Sequence, residues 1–219
     1  MENTVSKRPG RPPDPELWQR RREEILDAAA TLFAQRGYSD TDTQVLADTL
    51  CVGKGTLYRY FPSKRELFLA AVDRVMRRLR ESIDSRIQDL DDPLEQIALA
   101  VRAYLAFFEQ HPNFVELLIQ ERAQFKDRKK ATYFEHRDLH VERWREKYRG
   151  MIAQGRIRDI PVERITDVFG NALYGTVLAN YFAGQRKPSE EQARDVLDIV
   201  FQGILSDQER ARRSAAGGV

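Results

Sequence analysis

Between residues 15 and 208 the apolar positions recur every three to four residues, in segments separated by short clusters of Gly and Pro. This period puts apolar side chains on one face of an α-helix, whereas a half-buried strand would need strict alternation, and no alternating run of useful length is present. The expected fold class is all-α. Several segment starts carry their own signals. Asp14-Pro15 supplies a carboxylate N-cap followed by Pro at the first helical position, and Gly37 supplies a stop. Thr41 with Gln44, Ser63 with Glu66 and Ser189 with Gln192 have capping-box spacing. Asp92-Pro93 opens a further helix and His111-Pro112 breaks it. Later helices are expected over roughly 113–122, 129–154, 161–185 and 189–208.

The chain has 219 residues, 42% of them apolar, enough for the core of one domain or two small ones. Its 36 Lys and Arg nearly balance 34 Asp and Glu, for a net charge of +2, so any nucleic-acid surface must be local. A single cysteine, Cys51, excludes an internal disulfide and a multi-cysteine zinc site. No apolar run approaches the roughly 18 residues of a membrane span. Residues 1–6 lack the charged start and apolar stretch of a signal peptide. The expectation is a cytoplasmic protein with no membrane partner. Residues 1–13 are expected to form a flexible basic arm and residues 209–219 a fraying tail.

The densest local charge lies in the segment from Cys51 to Arg65. Lys54, Arg59, Lys64 and Arg65 stand there without a single acid. Two short helical segments meet in this region, one through Val45, Leu46, Ala47 and Leu50 and one from Lys54 to Tyr60, joined by Cys51-Val52-Gly53. Inside a three-helix unit that arrangement is a helix-turn-helix. The second helix of such a unit places its first side chains at base edges and its flanks on phosphates. Lys54 can reach guanine O6 and N7, and Thr56 can meet a thymine methyl or a base edge. Gly55 allows the backbone to come close. Tyr60 and Lys64 are suited to phosphates, which add affinity but little sequence information.

The run Ile25-Leu26-Asp27-Ala28-Ala29, Leu32-Phe33, Gly37-Tyr38, Thr41, Leu46-Ala47 and Val52 through Leu67 resembles the DNA-binding domain of TetR-type bacterial repressors. Order and spacing match together across three helices and a turn. The resemblance implies a helix-turn-helix domain over residues 14–66 and a helical ligand-binding and dimerisation domain over residues 67–208. It places Thr43 and Gln44 at the start of the second helix, Lys54, Gly55, Thr56 and Tyr58 on the recognition helix, and Tyr60 and Lys64 at phosphates. The function it implies is a ligand-responsive transcriptional repressor, a homodimer on a palindromic DNA operator, released by a small apolar or aromatic effector. Two departures stand in the turn: Cys51 where the family usually has Gly, and Gly53 where it usually has Ser. In the arm, Arg8 and Arg11 of Arg8-Pro9-Gly10-Arg11-Pro12 are similar to the basic cores that enter narrow A·T-rich minor grooves. The other readings are a helical interaction or adaptor module with non-specific DNA binding, and a ligand-independent activator of the same family.

The C-terminal half is rich in aromatics, and ligand sites between bundle helices are largely apolar and aromatic. Phe108, Phe114, Trp144, Tyr148 and Tyr174 are the candidate effector contacts. His136 and His140 lie four apart and could share a metal, but Glu135, Asp138 and Glu142 around them read as a solvated helix face, so no metal and no cofactor is expected. Val162, Ile165, Phe169, Leu173, Val177 and Ala179 to Tyr181 on one late helix, with Gly170 and Gly175 allowing close approach, and Val196, Ile199, Val200 and Ile204 on the next, are candidates for a dimer interface. No Gly-rich phosphate loop, nucleophile elbow or spaced catalytic set is present, so an enzyme is not expected.

Overall fold

A computed structural model describes residues 14–184 and 187–202, and among the described residues there are nine α-helices and no strand. They are α1 (Pro15–Arg36), α2 (Thr43–Thr49), α3 (Lys54–Tyr60), α4 (Lys64–Ile87), α5 (Pro93–Gln110), α6 (Asn113–Gln124), α7 (Thr132–Ala153), α8 (Val162–Ala183) and α9 (Ser189–Gln202). No helix among the described residues is long and apolar enough to cross a membrane.

Where a cap is local, the helix starts where its cap dictates. The Asp14 carboxylate accepts from the Glu16 amide, Asp92 from Leu94, and the Ser63 hydroxyl from Glu66. Two expected capping boxes do not form. The Thr41 hydroxyl donates instead to the Gly37 carbonyl at 2.6 Å, and Asp42 caps α2 by accepting from the Gln44 amide at 2.8 Å. Ser189 is the first residue of α9 rather than its cap, and its hydroxyl donates to Glu109 of α5 at 2.6 Å. Helix α7 begins three residues later than expected, for a long-range reason. Its N-cap, Ala131, has no side chain to offer, and the buried Glu121 carboxylate of α6 accepts from the Thr132 amide and hydroxyl and from Arg128. A buried charge held by a cation and hydrogen bonds in this way is anchored, whereas an unpaired one would be costly.

Helix α4 is the beam shared by both halves. Its first turns bury Leu67, Phe68, Ala71 and Val72 against α1, and its later turns pack on α5 and α7. At the junction, the Tyr38 ring meets Phe68 and Phe125 edge-on at centroid distances of 5.2 and 5.0 Å. Along the polar flank, Arg74 of α4 bonds Asp27 of α1 at 3.1 Å and Arg77 bonds Glu23 at 3.1 Å. Helix α4 also binds α7 beside this flank, with His136 on Asp73 at 2.7 Å and Arg143 on Asp84 at 2.7 Å, and Arg77 bonds Asp73 as well at 3.0 Å. The solvated face expected around His136 and His140 is therefore corrected: both rings face α4, because α7 packs there with its histidine side inward.

Candidate functional site

Helices α2 and α3 are seven residues each, too short to hold shape alone, so tertiary contacts fix them. Leu46, Ala47 and Leu57 are buried among them. The turn closes through Cys51 amide to Asp48 carbonyl and Val52 amide to Ala47 carbonyl, at 3.0 and 2.9 Å. Arg21 of α1 reaches across to the Leu50 carbonyl at 2.9 Å and clamps the turn to the first helix. Cys51 has φ 52°, the one positive-φ residue other than glycine in the described chain. The turn thus keeps a left-handed residue at the place where the resemblance implies Gly, and a side chain is held in a conformation that costs about 1 kcal/mol.

With Leu57 buried as its anchor, α3 turns Lys54, Gly55, Tyr58 and Arg59 to solvent and leaves Thr56 half-buried. Tyr58 is held in place: its hydroxyl lies 3.0 Å from the Thr43 hydroxyl of α2. Thr43 itself is buried, so it acts here by positioning Tyr58. Gln44 is exposed and its amide donates to Asp48 at 2.7 Å. Lys54 pairs loosely with Asp42 at 3.4 Å, and Asp42 is held below the usual carboxylate range chiefly by the Gln44 amide. A Cβ added at Gly55 would meet nothing within 4 Å, so the fold itself does not require glycine there.

The two flanking positions are pre-oriented. Lys64 donates to the Ser39 carbonyl at 3.0 Å, with its ammonium 4.8 Å from the centre of the Tyr38 ring. Tyr60 stacks on Trp18 of α1 at 3.8 Å, and Arg59 lies over the same indole at 5.9 Å. Trp18 is thus the platform that sets Tyr60 and Arg59, and no local signal in the sequence marks that role. Arg8 and Arg11 lie outside the described residues.

In the C-terminal half a cavity of about 200 Å³ opens between α4, α5, α7 and α8. Trp144 and Tyr148 line it, together with Tyr104, Tyr133, Arg137, His140 and Phe169, which were not candidates. Their signal was present: Tyr133, Arg137, His140, Trp144 and Tyr148 follow one helical face of α7. The other three expected contacts are elsewhere. Phe108 lines a separate cleft of about 270 Å³ with Tyr181 and Gln192. Phe114 stacks on His111 at 5.0 Å, and Tyr174 packs behind Tyr133 at 4.6 Å. Burial pushes the Tyr104 hydroxyl well up and that of Tyr133 to about 12, so both stay protonated near neutrality.

Comparison with known proteins meets this geometry in both halves. A sequence profile for bacterial regulatory proteins of the tetR family matches residues 25–71, and one for a tetracyclin repressor-like C-terminal domain matches residues 89–204. The nucleoid occlusion factor SlmA of Vibrio campbellii is 33% identical over 108 residues, 49% of this chain and 55% of the relative. The chain thus spans about half the length of that curated relative. The transcriptional repressor KstR2 of Mycobacterium tuberculosis is 26% identical over 193 residues, 85% of this chain and 94% of the relative. Among solved structures, the transcriptional regulator FadR of Bacillus subtilis in complex with stearoyl-CoA superposes with a TM-score of 0.71 at 19% identity, covering 83% of this chain and 98% of that one.

Proposed function

The chain belongs to the TetR family of bacterial DNA-binding transcriptional regulators, and from that premise we propose that it represses transcription as a homodimer on a palindromic operator and releases the DNA when a small apolar or aromatic effector enters its C-terminal helices. The observation that carries this reading is the presented face of α3, with Lys54, Gly55, Tyr58 and Arg59 outward over a buried Leu57. In the proposal Lys54, Gly55 and Thr56 read bases. Tyr58, Tyr60, Lys64 and Gln44 set the helix on the backbone, buried Thr43 holds Tyr58 in place for that contact, and Arg8 and Arg11 enter the minor groove on the strength of the sequence alone.

Two adjacent major-groove half-sites require two copies of α3 held at a set distance, hence a dimer. The apolar stripe expected to make it is partly spent: Val162, Phe169 and Val177 are buried within the subunit, and Ile204 lies outside the described residues. What faces outward on α8 is Val168, Gly175, Ala179 and Phe182, with half-buried Ala172 between them. Their spacing of four, three, four and three residues is the a/d pattern of a helix–helix seam. Phe182 is 70% exposed, and Ile199 of α9 is 51% exposed. An isologous contact between two such faces would cover them.

Purified protein titrated against a fluorescent duplex of its own upstream region, with a scrambled duplex as control, tests the reading at two salt concentrations. Tight, salt-weakened binding that prefers the upstream duplex is expected. Equal and weak binding to both would overturn it. Sedimentation of Ala179→Arg is expected to show monomers where the unaltered chain shows dimers.

A further inference from the structure

Every polar side chain lining the α4/α5/α7/α8 cavity carries a hydrogen-bond donor, the Tyr148 hydroxyl included. No Asp or Glu lines it. The Tyr104 and Tyr133 hydroxyls lie 3.0 Å apart, and neither makes another hydrogen bond among the described residues. One of the two protons is spent between them and the other has no acceptor. Arg80 of α4 donates to His140 Nε2 at 2.9 Å, which fixes that imidazole as neutral with its remaining proton on Nδ1. Arg137 has no carboxylate within hydrogen-bond range. The nearest is its chain neighbour Asp138 at 3.6 Å, and that carboxylate is taken by Lys130. Thr166 is the exception that leaves the pattern intact, since its hydroxyl donates to its own helix at the Val162 and Glu163 carbonyls.

A buried donor without an acceptor costs about 1–3 kcal/mol, which applies to the spare hydroxyl proton of the Tyr104/Tyr133 pair. The Arg137 guanidinium, by contrast, lies over the Phe134 ring at 5.0 Å, keeps about a third of its side chain in solvent and stays available to an anion. The remaining wall is apolar: Ile97, Val101, Trp144 and Phe169. The cavity's volume, about 200 Å³, has room for a ring plus a short acidic arm, since a cavity of roughly 150 Å³ accepts a benzene ring. From these features together we infer that the effector is a small aromatic monocarboxylate, its ring against Trp144 and Phe169 and its carboxylate on Arg137, the His140 Nδ1–H and the spare hydroxyl of the Tyr104/Tyr133 pair. Charge-assisted bonds of this kind are about twice as strong as neutral ones, which separates the acid from its neutral isostere. The His140–Arg80 bond then ties the ligand to the helix that carries α1 to α3.

This inference rests on the reading of the C-terminal helices as an effector domain, and the two can fail separately. The full-length protein is titrated calorimetrically with benzoate, phenylacetate and 3-phenylpropanoate, and with phenylacetamide as the uncharged match. Stearoyl-CoA is the competing ligand. At least one acid is expected to bind saturably, about tenfold or more tighter than the amide. Arg137→Gln is expected to erase the acid-over-amide preference, while Asp138→Asn keeps it. Because the preference is a ratio within one variant, a partly destabilised Arg137→Gln still reports it. Equal binding of acid and amide, a preference that survives Arg137→Gln, or binding of stearoyl-CoA with none of the acids would overturn the inference. If no acid binds but the upstream duplex does, the ligand class is wrong and the regulator stands. Acid binding that depends on Arg137 but leaves operator affinity unchanged would instead keep the site and remove its effector role.

Discussion

The backbone amide of Tyr38 donates to Oε1 of Gln120 at 2.7 Å, across 82 residues of sequence. Gln120 is buried on α6, and its amide nitrogen donates to Glu116 at 2.9 Å. Glu116 in turn accepts from the Tyr181 hydroxyl of α8 at 2.6 Å. One side chain thus joins the turn after α1 to the C-terminal helices.

Gln120→Leu removes the acceptor and leaves a partly buried amide unpaired. The expected cost is about 1–3 kcal/mol, the penalty for such a group. Urea unfolding followed by circular dichroism should show a lower midpoint with an unchanged slope. An unaltered midpoint would mean that water replaces the glutamine and the joint carries no load.

Gly55 separates folding from DNA contact. Nothing stands within 4 Å of an added Cβ, and alanine is the better helix former by about 0.5–1 kcal/mol. Gly55→Ala is therefore expected to raise thermal stability slightly while weakening operator binding. Lys64→Ala should weaken binding to operator and scrambled duplex alike and reduce the salt slope by about 1. If Gly55→Ala binds the operator as tightly as the unaltered chain, the helix does not approach DNA by its glycine.

Cys51 holds φ 52° with a side chain, in a turn that glycine would enter freely. Cys51→Gly is expected to gain up to about 1 kcal/mol, reduced by the greater freedom glycine gives the unfolded chain. Cys51→Ala keeps the Cβ and should stay at the original value. Equal stability of the Gly and Ala variants in urea titration would show that the turn is not strained.

Acid should loosen the protein through two histidines. Burial, then Arg80, holds His140 below the usual histidine range, and burial, then Arg78, does the same to His111. In the unfolded chain both titrate near their ordinary value of about 6.5, so on acidification the unfolded state binds protons first and gains ground. The melting temperature is expected to decline as pH falls below about 6.5, with the loss complete only below the lowered folded values. His140→Gln and His111→Gln should each flatten part of that decline. Asp73, held low chiefly by its bond to His136, adds a further loss only below about pH 4. A melting temperature that rises between neutral pH and mild acid would contradict the assignment.

What could be read in the sequence was what neighbours in the chain decide. The three-to-four-residue period located the nine helices found among the described residues, because amphipathic burial acts within one turn of backbone. Asp14-Pro15, Ser63/Glu66 and Asp92-Pro93 fixed their helix starts, since a cap reaches only two or three residues. The order of groups through Leu67 carried the resemblance to the TetR family, which the matches over residues 25–71 and 89–204 then showed. Tertiary structure decided whatever depends on a partner far along the chain. Ser189 lost its capping role to Glu109, and α7 waited for Glu121 before it began. His136 and His140 turned inward because α4 offered Asp73 and Arg80. Trp18 became a platform only once Tyr60 lay on it. The cavity is the extreme case: its wall is one face of α7, legible as a period, but which face closes on a space, and which donors are left there without acceptors, is settled by four helices meeting at once. Local backbone chemistry acts over a few residues and is written in the sequence, whereas burial and hydrogen-bond partnership are properties of the packed assembly.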